Sequence, residues 1–351
     1  MRMAGNVGCD MVDGLARGWR GKKAAADHYA CVPSRSLPRP LPKQAILVVN
    51  AHSRKGREAF DEARSKLAAA GVRLLDSHAV EDPSQMDSVM IAAITAAPMV
   101  IVGGGDGSLS SSVDHFLGQD TVFAILPLGT ANSFARTLGV PLDLDGAIKV
   151  IANGRARRID LGCIDGDYFV NAAALGLSPM IAETVPHKLK RYLGRVGYLG
   201  WALRCAVKFQ PFRLTVTHNG KCERMWATEV RIANGTHHGG AEMIESAELD
   251  SGEIVVQAVT GKSVAGLAWS WFAILFKLSG REQTVTEFRG REMRIETRPR
   301  LNISIDGEVT ARTPVTVSVA RGAIEVAAPL EEQDGALAQS RQRRAQAPGP
   351  F

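Results

Sequence analysis

The apolar run from Met99 to Val102 ends in Gly103-Gly104-Gly105-Asp106-Gly107-Ser108, after which Leu109, Val113, Phe116 and Leu117 recur on one helical face. A strand, a glycine-rich turn and a helix in that order bring backbone amides close to an anion. Glycine permits close approach and positive φ, and the first amides of a helix carry positive potential. Asp106 at the turn is placed to hold Mg²⁺ or a phosphate-bound water. The neighbouring segments repeat the pattern. Ala45 to Val49 leads into Asn50-Ala51-His52-Ser53-Arg54-Lys55-Gly56, and Val122 to Leu126 leads into Pro127-Leu128-Gly129-Thr130-Ala131-Asn132-Ser133-Phe134-Ala135-Arg136. Three strands ending in three polar loops predict a parallel sheet whose carboxyl ends share one edge, where open α/β sheets bind ligands. Phe60, Ala63, Leu67 and Ala70 supply the apolar face of a covering helix. There is no G-x-x-x-x-G-K-[ST] loop, and no G-x-G-x-x-G with a ribose-binding acid downstream, so neither of the common nucleotide motifs is expected.

The chain has 351 residues, enough for two cores. Residues 1–43, proline-rich at Pro33, Pro38, Pro40 and Pro42, read as a flexible extension, and 44–150 as the α/β nucleotide domain. In 151–330 the pattern changes to short alternating strands: Arg213 to Thr217, Leu301 to Ile305, Val315 to Val319 and Ile324 to Val326. Period-two alternation predicts antiparallel sheets with one buried face each, a sandwich or barrel. The fold class is therefore α/β plus all-β. Two helices interrupt the strands. One is a stripe from Leu189 to Val207 rimmed by Lys188, Lys190, Arg191 and Arg195, and the other is a segment from Val264 to Leu278 with Trp269, Trp271, Phe272 and Phe276. Both suit either the β-domain core or an anionic membrane surface. The tail 331–351 has little to bury and is expected to be disordered.

Hydrophobic residues make up 45% and charged residues 22% of the chain, and no apolar run reaches the ~18 residues of a membrane span. The N-terminus lacks a signal-peptide core, so a cytoplasmic protein is expected. A net charge of +6 favours acidic partners without choosing among phosphates, anionic lipid and nucleic acid. Five cysteines show neither a C-x-x-C pair nor zinc spacing, as expected of free thiols in a reducing compartment. His237-His238 reads as a loop pair, with no third ligand spaced for a metal.

The turn sequences noted above, together with Ile159-Asp160-Leu161-Gly162, Tyr168-Phe169-Val170-Asn171, the stretch Ala247 to Val255 and Ile305-Asp306-Gly307-Glu308, resemble the diacylglycerol kinase catalytic family in its bacterial lipid kinase branch, over roughly residues 44–330. The resemblance implies an N-terminal α/β domain of the NAD kinase and diacylglycerol kinase type, a C-terminal antiparallel β-sandwich, and a cleft between them. It also implies transfer of the γ-phosphoryl group of ATP, with Mg²⁺, to the hydroxyl of a lipid such as diacylglycerol. Such a transfer requires positioned phosphates, charge neutralisation and a proton acceptor. The ATP-site residues are then Asn50, Gly104, Gly105, Asp106, Gly107, Ser108, Thr130 and Asn132, with Arg54 and Lys55 either touching phosphate or merely solvated. Glu308 is implied as the base for the lipid hydroxyl, supported by Asp306, which would steady it or bind metal; by pattern alone Asp306-Gly307 is a hairpin turn. Asp160 is either a carboxylate near ATP or a strand-end cap.

Departures from the family lie at Ser133, where a carboxylate is usual, and at Ser251, beside Asp250, where the family carries a second Asp for a structural Mg²⁺. A hydroxyl is a poor ligand for a hard cation, so weak or absent Mg²⁺ is expected there. His78-Ala79-Val80 also replaces a Thr that commonly contacts nucleotide. The partners expected are a lipid alcohol and a membrane surface touched peripherally, without nucleic acid. The alternatives are a soluble-substrate kinase of the NAD kinase type and a lipid-binding regulator that lost turnover.

Overall fold

Ala45–Val49, Met99–Val102 and Val122–Leu126 are apolar at every position, so a strand built from any of them must be covered on both faces. The computed structural model, which describes residues 39–52, 54–184, 201, 204, 205, 209–238, 241–242, 244, 246–261, 285–306 and 308–330, shows that arrangement. After β1 (Arg39–Pro40) come β2 (Gln44–Asn50), α1 (Arg54–Ala69), β3 (Arg73–Val80), α2 (Met86–Ala96), β4 (Met99–Gly104), α3 (Asp106–Val113), β5 (Val122–Pro127), α4 (Ser133–Leu138) and α5 (Leu144–Asn153). The strands pair in parallel in the order β3-β2-β4-β5. β2, β4 and β5 therefore end side by side.

The covering helices use the predicted faces. Phe60, Ala63 and Leu67 of α1 are buried, as are Leu109, Val113 and Phe116 along α3 and the turn after it. Ala70 is not part of that face. The helix stops at Ala69, Gly71 turns at φ 82°, and Val72 N returns to Leu67 O at 3.0 Å, which leaves Ala70 exposed. Residues 39–43, expected within the extension, are also docked. β1 pairs with Arg155 and Ala156, Leu41 is buried, and Arg39 Nε donates to Glu325 Oε2 at 3.0 Å.

The second half contains β6 (Arg155–Ile164), β7 (Asp167–Phe169), β8 (Ala172–Gly176), α6 (Leu177–Thr184), β9 (Phe212–His218), β10 (Lys221–Ala233), β11 (His237–His238), β12 (Ala241–Glu242), β13 (Ile254–Thr260), β14 (Val285–Gly290), β15 (Glu292–Arg298), β16 (Asn302–Ile305), β17 (Glu308–Arg312) and β18 (Val315–Ala328). Among the described residues all its pairings are antiparallel except that of β18 with β5, and its alternating apolar residues, among them Leu214, Val216, Val230, Ile232, Ile295 and Val317, meet in a second core. Long β10 runs against β9 up to Ala227 and against β8 from Glu229, changing neighbours at Thr228.

Two expectations are corrected here. Val315–Val319 and Ile324–Val326 are one strand, β18, with an irregularity between Ala320 and Ile324 in its pairing with β6. Its first residues pair with β15 in the second half, and Glu325 and Val326 join β5 in the first. His237-His238 is not loop but a short strand against Ala241-Glu242. Most of the Leu189–Val207 stripe, the Val264–Leu278 segment, residues 1–38 and residues 331–351 lie outside the described residues.

Candidate active site

Three strand ends build the first part of the site. At the end of β2, Asn50 Nδ2 donates to Ser108 Oγ across 2.8 Å, while its Oδ1 accepts from His52 N. Gly104, at the end of β4, lies so close to this pair that an added Cβ would stand 2.7 Å from Ser108 Cβ. The loop after β5 then crosses the glycine turn. Leu128 N donates to Gly104 O at 2.9 Å, and a Cβ on Gly129 would fall 2.6 Å from Gly105 Cα. Only glycine lets two backbones pass so closely.

Asn132 holds that crossing loop in shape. It adopts φ 49°, ψ 47°, and its amide bonds Gly129 twice: Oδ1 accepts from Gly129 N at 2.9 Å and Nδ2 donates to Gly129 O at 3.0 Å. Both ends of the side chain are thus spent on fixing Gly129. Thr130, at the tip, is exposed.

Helix α3 starts at this crossing with Gly105 as its N-cap and no side-chain cap, so the amides of Asp106, Gly107 and Ser108 point outward with no intrahelical acceptor. Asp106 Oδ1 accepts from Phe134 N at 3.3 Å, and Oδ2 makes no hydrogen bond among the described residues. Free amides, a helix N-terminus and an available carboxylate oxygen together suit a phosphate with its cation.

The second half reaches the same helix. Asp306 sits in the turn between β16 and β17 at φ 45°, and its carboxylate accepts from Val170 N, Asn171 N and Ala172 N at 3.1 to 3.3 Å and from Ser110 Oγ at 2.6 Å. This turn is the hairpin expected from Asp-Gly, and Glu308 opens β17 opposite Ile305. Asp306 is a structural acceptor whose lone pairs are occupied, which excludes the metal-binding role considered for it.

Asp160 resolves to the strand-end cap. It is 1% exposed, Oδ1 accepts from Gly322 N and Oδ2 from Gly252 N, each at 2.7 Å, and burial pushes its carboxyl above the usual value despite those bonds. It ties the 247–252 loop to β18.

That loop does not suit a divalent cation. Asp250 pairs with Arg157 at 2.9 Å. The Ser251 hydroxyl lies 3.1 Å from Glu248 O and 3.3 Å from Glu253 O, and accepts from Glu253 N. A Cβ on Gly252 would meet Arg321 Nε at 2.8 Å, so a second guanidinium lies alongside. No group of three His, Cys, Asp or Glu that could hold a metal exists among the described residues. Two arginines supply the positive charge at a loop where the family resemblance implies Mg²⁺.

Sequence reasoning missed Ser110, Thr137 and Asn234. Asn234 Nδ2 donates to Asp160 O and Val170 O, both at 2.9 Å, and Thr137 Oγ1 donates to Asn171 Oδ1 at 3.4 Å and accepts from His237 N at 3.3 Å. The Asn234-Gly235 dipeptide is a turn signal that marks Asn234. Ser110 lies in a serine run that reads as a solvated helix face.

Residues 44–164 match the model of the diacylglycerol kinase catalytic domain, and residues 171–328 match that of the YegS C-terminal NAD kinase beta sandwich-like domain. A relative from Enterobacter sp. (strain 638), named "Probable lipid kinase YegS-like", is 30% identical over 206 residues, 57% of this chain and 69% of its own. The chain belongs to the diacylglycerol kinase catalytic family. Within that family, a relative of the same name from Pseudomonas aeruginosa (strain UCBPP-PA14) is 28% identical over 82% of this chain and 96% of its own, and the diacylglycerol kinase of Bacillus subtilis (strain 168) is 34% identical over 37% and 44%. The fold is shared with a crystal structure of a diacylglycerol kinase from Bacillus anthracis str. Sterne, at TM-score 0.65 and 21% identity over 84% of this chain and 98% of that one. The protein is thus a member of a lipid kinase family, and kinase membership implies ATP as substrate. Among the described residues no helix is long and apolar enough to cross a membrane.

Proposed function

We propose that this protein transfers the γ-phosphoryl group of ATP to the hydroxyl of a membrane lipid of the diacylglycerol type. The observation that carries the reading is the meeting at helix α3 of an uncapped N-terminus, the open Oδ2 of Asp106, and the Asp306-Gly307-Glu308 turn bound to the same helix through Ser110. The amides of Asp106, Gly107 and Ser108 bind phosphate oxygens, with Asn50 and Asn132 keeping the loops around them in place. Asp106 is the residue that would hold Mg²⁺, which when bound supplies charge neutralisation on the phosphates. Glu308 accepts the proton of the lipid hydroxyl, a role for a carboxylate within reach of the acceptor. The protein works at the membrane surface without spanning it, drawn by its basic excess.

The test is direct. The protein is incubated with radiolabelled ATP, Mg²⁺ and mixed vesicles containing diacylglycerol, a sphingoid base or ceramide, and the labelled lipid is identified. Label in the diacylglycerol product supports the reading. Label only in another lipid alcohol moves the substrate, and label in none favours a regulator, a reading that Ser133 in place of a carboxylate keeps open.

A further inference from the structure

Asp306 and Ser110 lie 196 residues apart in the chain and in different halves of the fold, yet their side chains meet at 2.6 Å. That distance is typical of a hydroxyl donating to a carboxylate. The other donors to Asp306 are the amides of Val170 and Asn171, between β7 and β8, and of Ala172, the first residue of β8, and Asp306 N itself donates to Ala172 O at 3.1 Å. Asp306 therefore anchors its own turn to β8 with backbone bonds, and spends its remaining lone pair on helix α3.

The serines of α3 divide the work. Ser111 and Ser112 bond back to Ser108 O within the helix, and Ser108 Oγ receives Asn50 from β2. Among the described residues, Ser110 alone of these serines reaches the second half. It stands four residues after Asp106, one turn along, so the two share a helical face. Asp306 in turn stands two residues before Glu308. One hydrogen bond thus joins the helix that carries the phosphate-site carboxylate to the turn that carries the base.

We propose that Ser110 and Asp306 are a positioning pair that sets the separation of Asp106 and Glu308, so that nucleotide and lipid hydroxyl are held in register. The pair touches neither substrate. The inference rests on the kinase reading above, because register matters only if both residues serve one transfer. Displacement of a reacting group by about 1 Å costs on the order of a hundredfold in rate, so loss of the bond is expected to act on turnover and to leave nucleotide binding in place.

The test compares wild type, Ser110→Ala and Ser110→Thr by lipid phosphorylation kinetics, by direct titration of ATP and by hydrogen exchange over residues 304–312. For Ser110→Ala, kcat falls by about tenfold to a hundredfold, ATP affinity stays within about twofold, and exchange in 304–312 rises. Ser110→Thr, which keeps the hydroxyl, recovers most of kcat. Unchanged kcat in Ser110→Ala overturns the proposal, as does a loss shared equally by ATP affinity and melting temperature, which marks a structural residue. Asp306→Asn gives a second reading of the same bond should Ser110→Ala fold poorly, and its kcat must fall in the same way. Absence of lipid phosphorylation by the wild type would instead sink the kinase reading, while the exchange arm would still report whether the bond steadies the turn.

Discussion

Gly129→Ala tests the crossing of the two loops. The added methyl would sit 2.6 Å from Gly105 Cα and 2.8 Å from Asn132 Oδ1. Carbon atoms pack at about 3.5–4.0 Å, so the loops must separate by roughly 1 Å. Neither neighbour yields easily, since one is backbone and the other is held by two hydrogen bonds to residue 129 itself. A displacement of that size next to the α3 amides should cost about a hundredfold in kcat/KM for ATP, near 2.7 kcal/mol. Overpacking in a core costs about 1–3 kcal/mol, and the loop edges here relax more freely than a core, so the variant should fold and melt a few degrees below wild type. Steady-state kinetics with ATP varied at saturating lipid, paired with a thermal melt, measure both. Wild-type kcat/KM in Gly129→Ala would refute the claim that the close passage of residues 105 and 129 shapes the phosphate site.

Glu308→Gln should remove lipid phosphorylation and leave ATP binding by titration within a few fold, since a base acts on the acceptor; a matching fall in ATP affinity would place the base elsewhere. Burial raises the Asp160 carboxyl, so the native state holds its proton more tightly than the unfolded chain, and stability falls as pH rises from about 4 through the raised native value. Denaturant titrations should show that decline in wild type and a flatter curve in Asp160→Asn, and parallel curves would count against it. Because Arg157 and Arg321 occupy the 247–252 loop, a chelator should leave the melting temperature of the nucleotide-free protein unchanged, whereas Arg157→Ala should lower it by exposing Asp250 to no partner; a clear drop with chelator alone would show a bound cation.

Much of the nucleotide layer was legible because its signals are local. A fully apolar run means a strand covered twice, and a glycine turn before a helical face means an exposed N-terminus, so β2, β4, β5 and α3 follow from a few residues each. The antiparallel strands followed from alternation in the same way. What escaped depends on distance. Nothing near Asn132 says that its amide is consumed by Gly129, or near Asp306 that a serine from the other half will donate to it. Local sequence leaves the two readings of Asp160 balanced, because its partners, Gly252 and Gly322, are distant in the chain. The alternation of Val315–Val319 and of Ile324–Val326 is legible as two runs, and only pairing with β6 on both sides of the irregularity between them makes a single strand. Ala70 keeps the helical period, but the Gly71 turn ends the helix before it.

The return of β18 to β5 bears on how the chain is made. On the ribosome the nucleotide layer emerges first, but the free side of β5 stays open until Glu325 arrives, about 200 residues later, or roughly 10–40 s at ordinary synthesis rates. During that interval a fully apolar strand with one unpaired edge is a template for any other strand nearby. A nascent chain arrested before β18 should therefore be sticky and protease-sensitive in the layer that looks most complete, and release of the last strand should close both halves together.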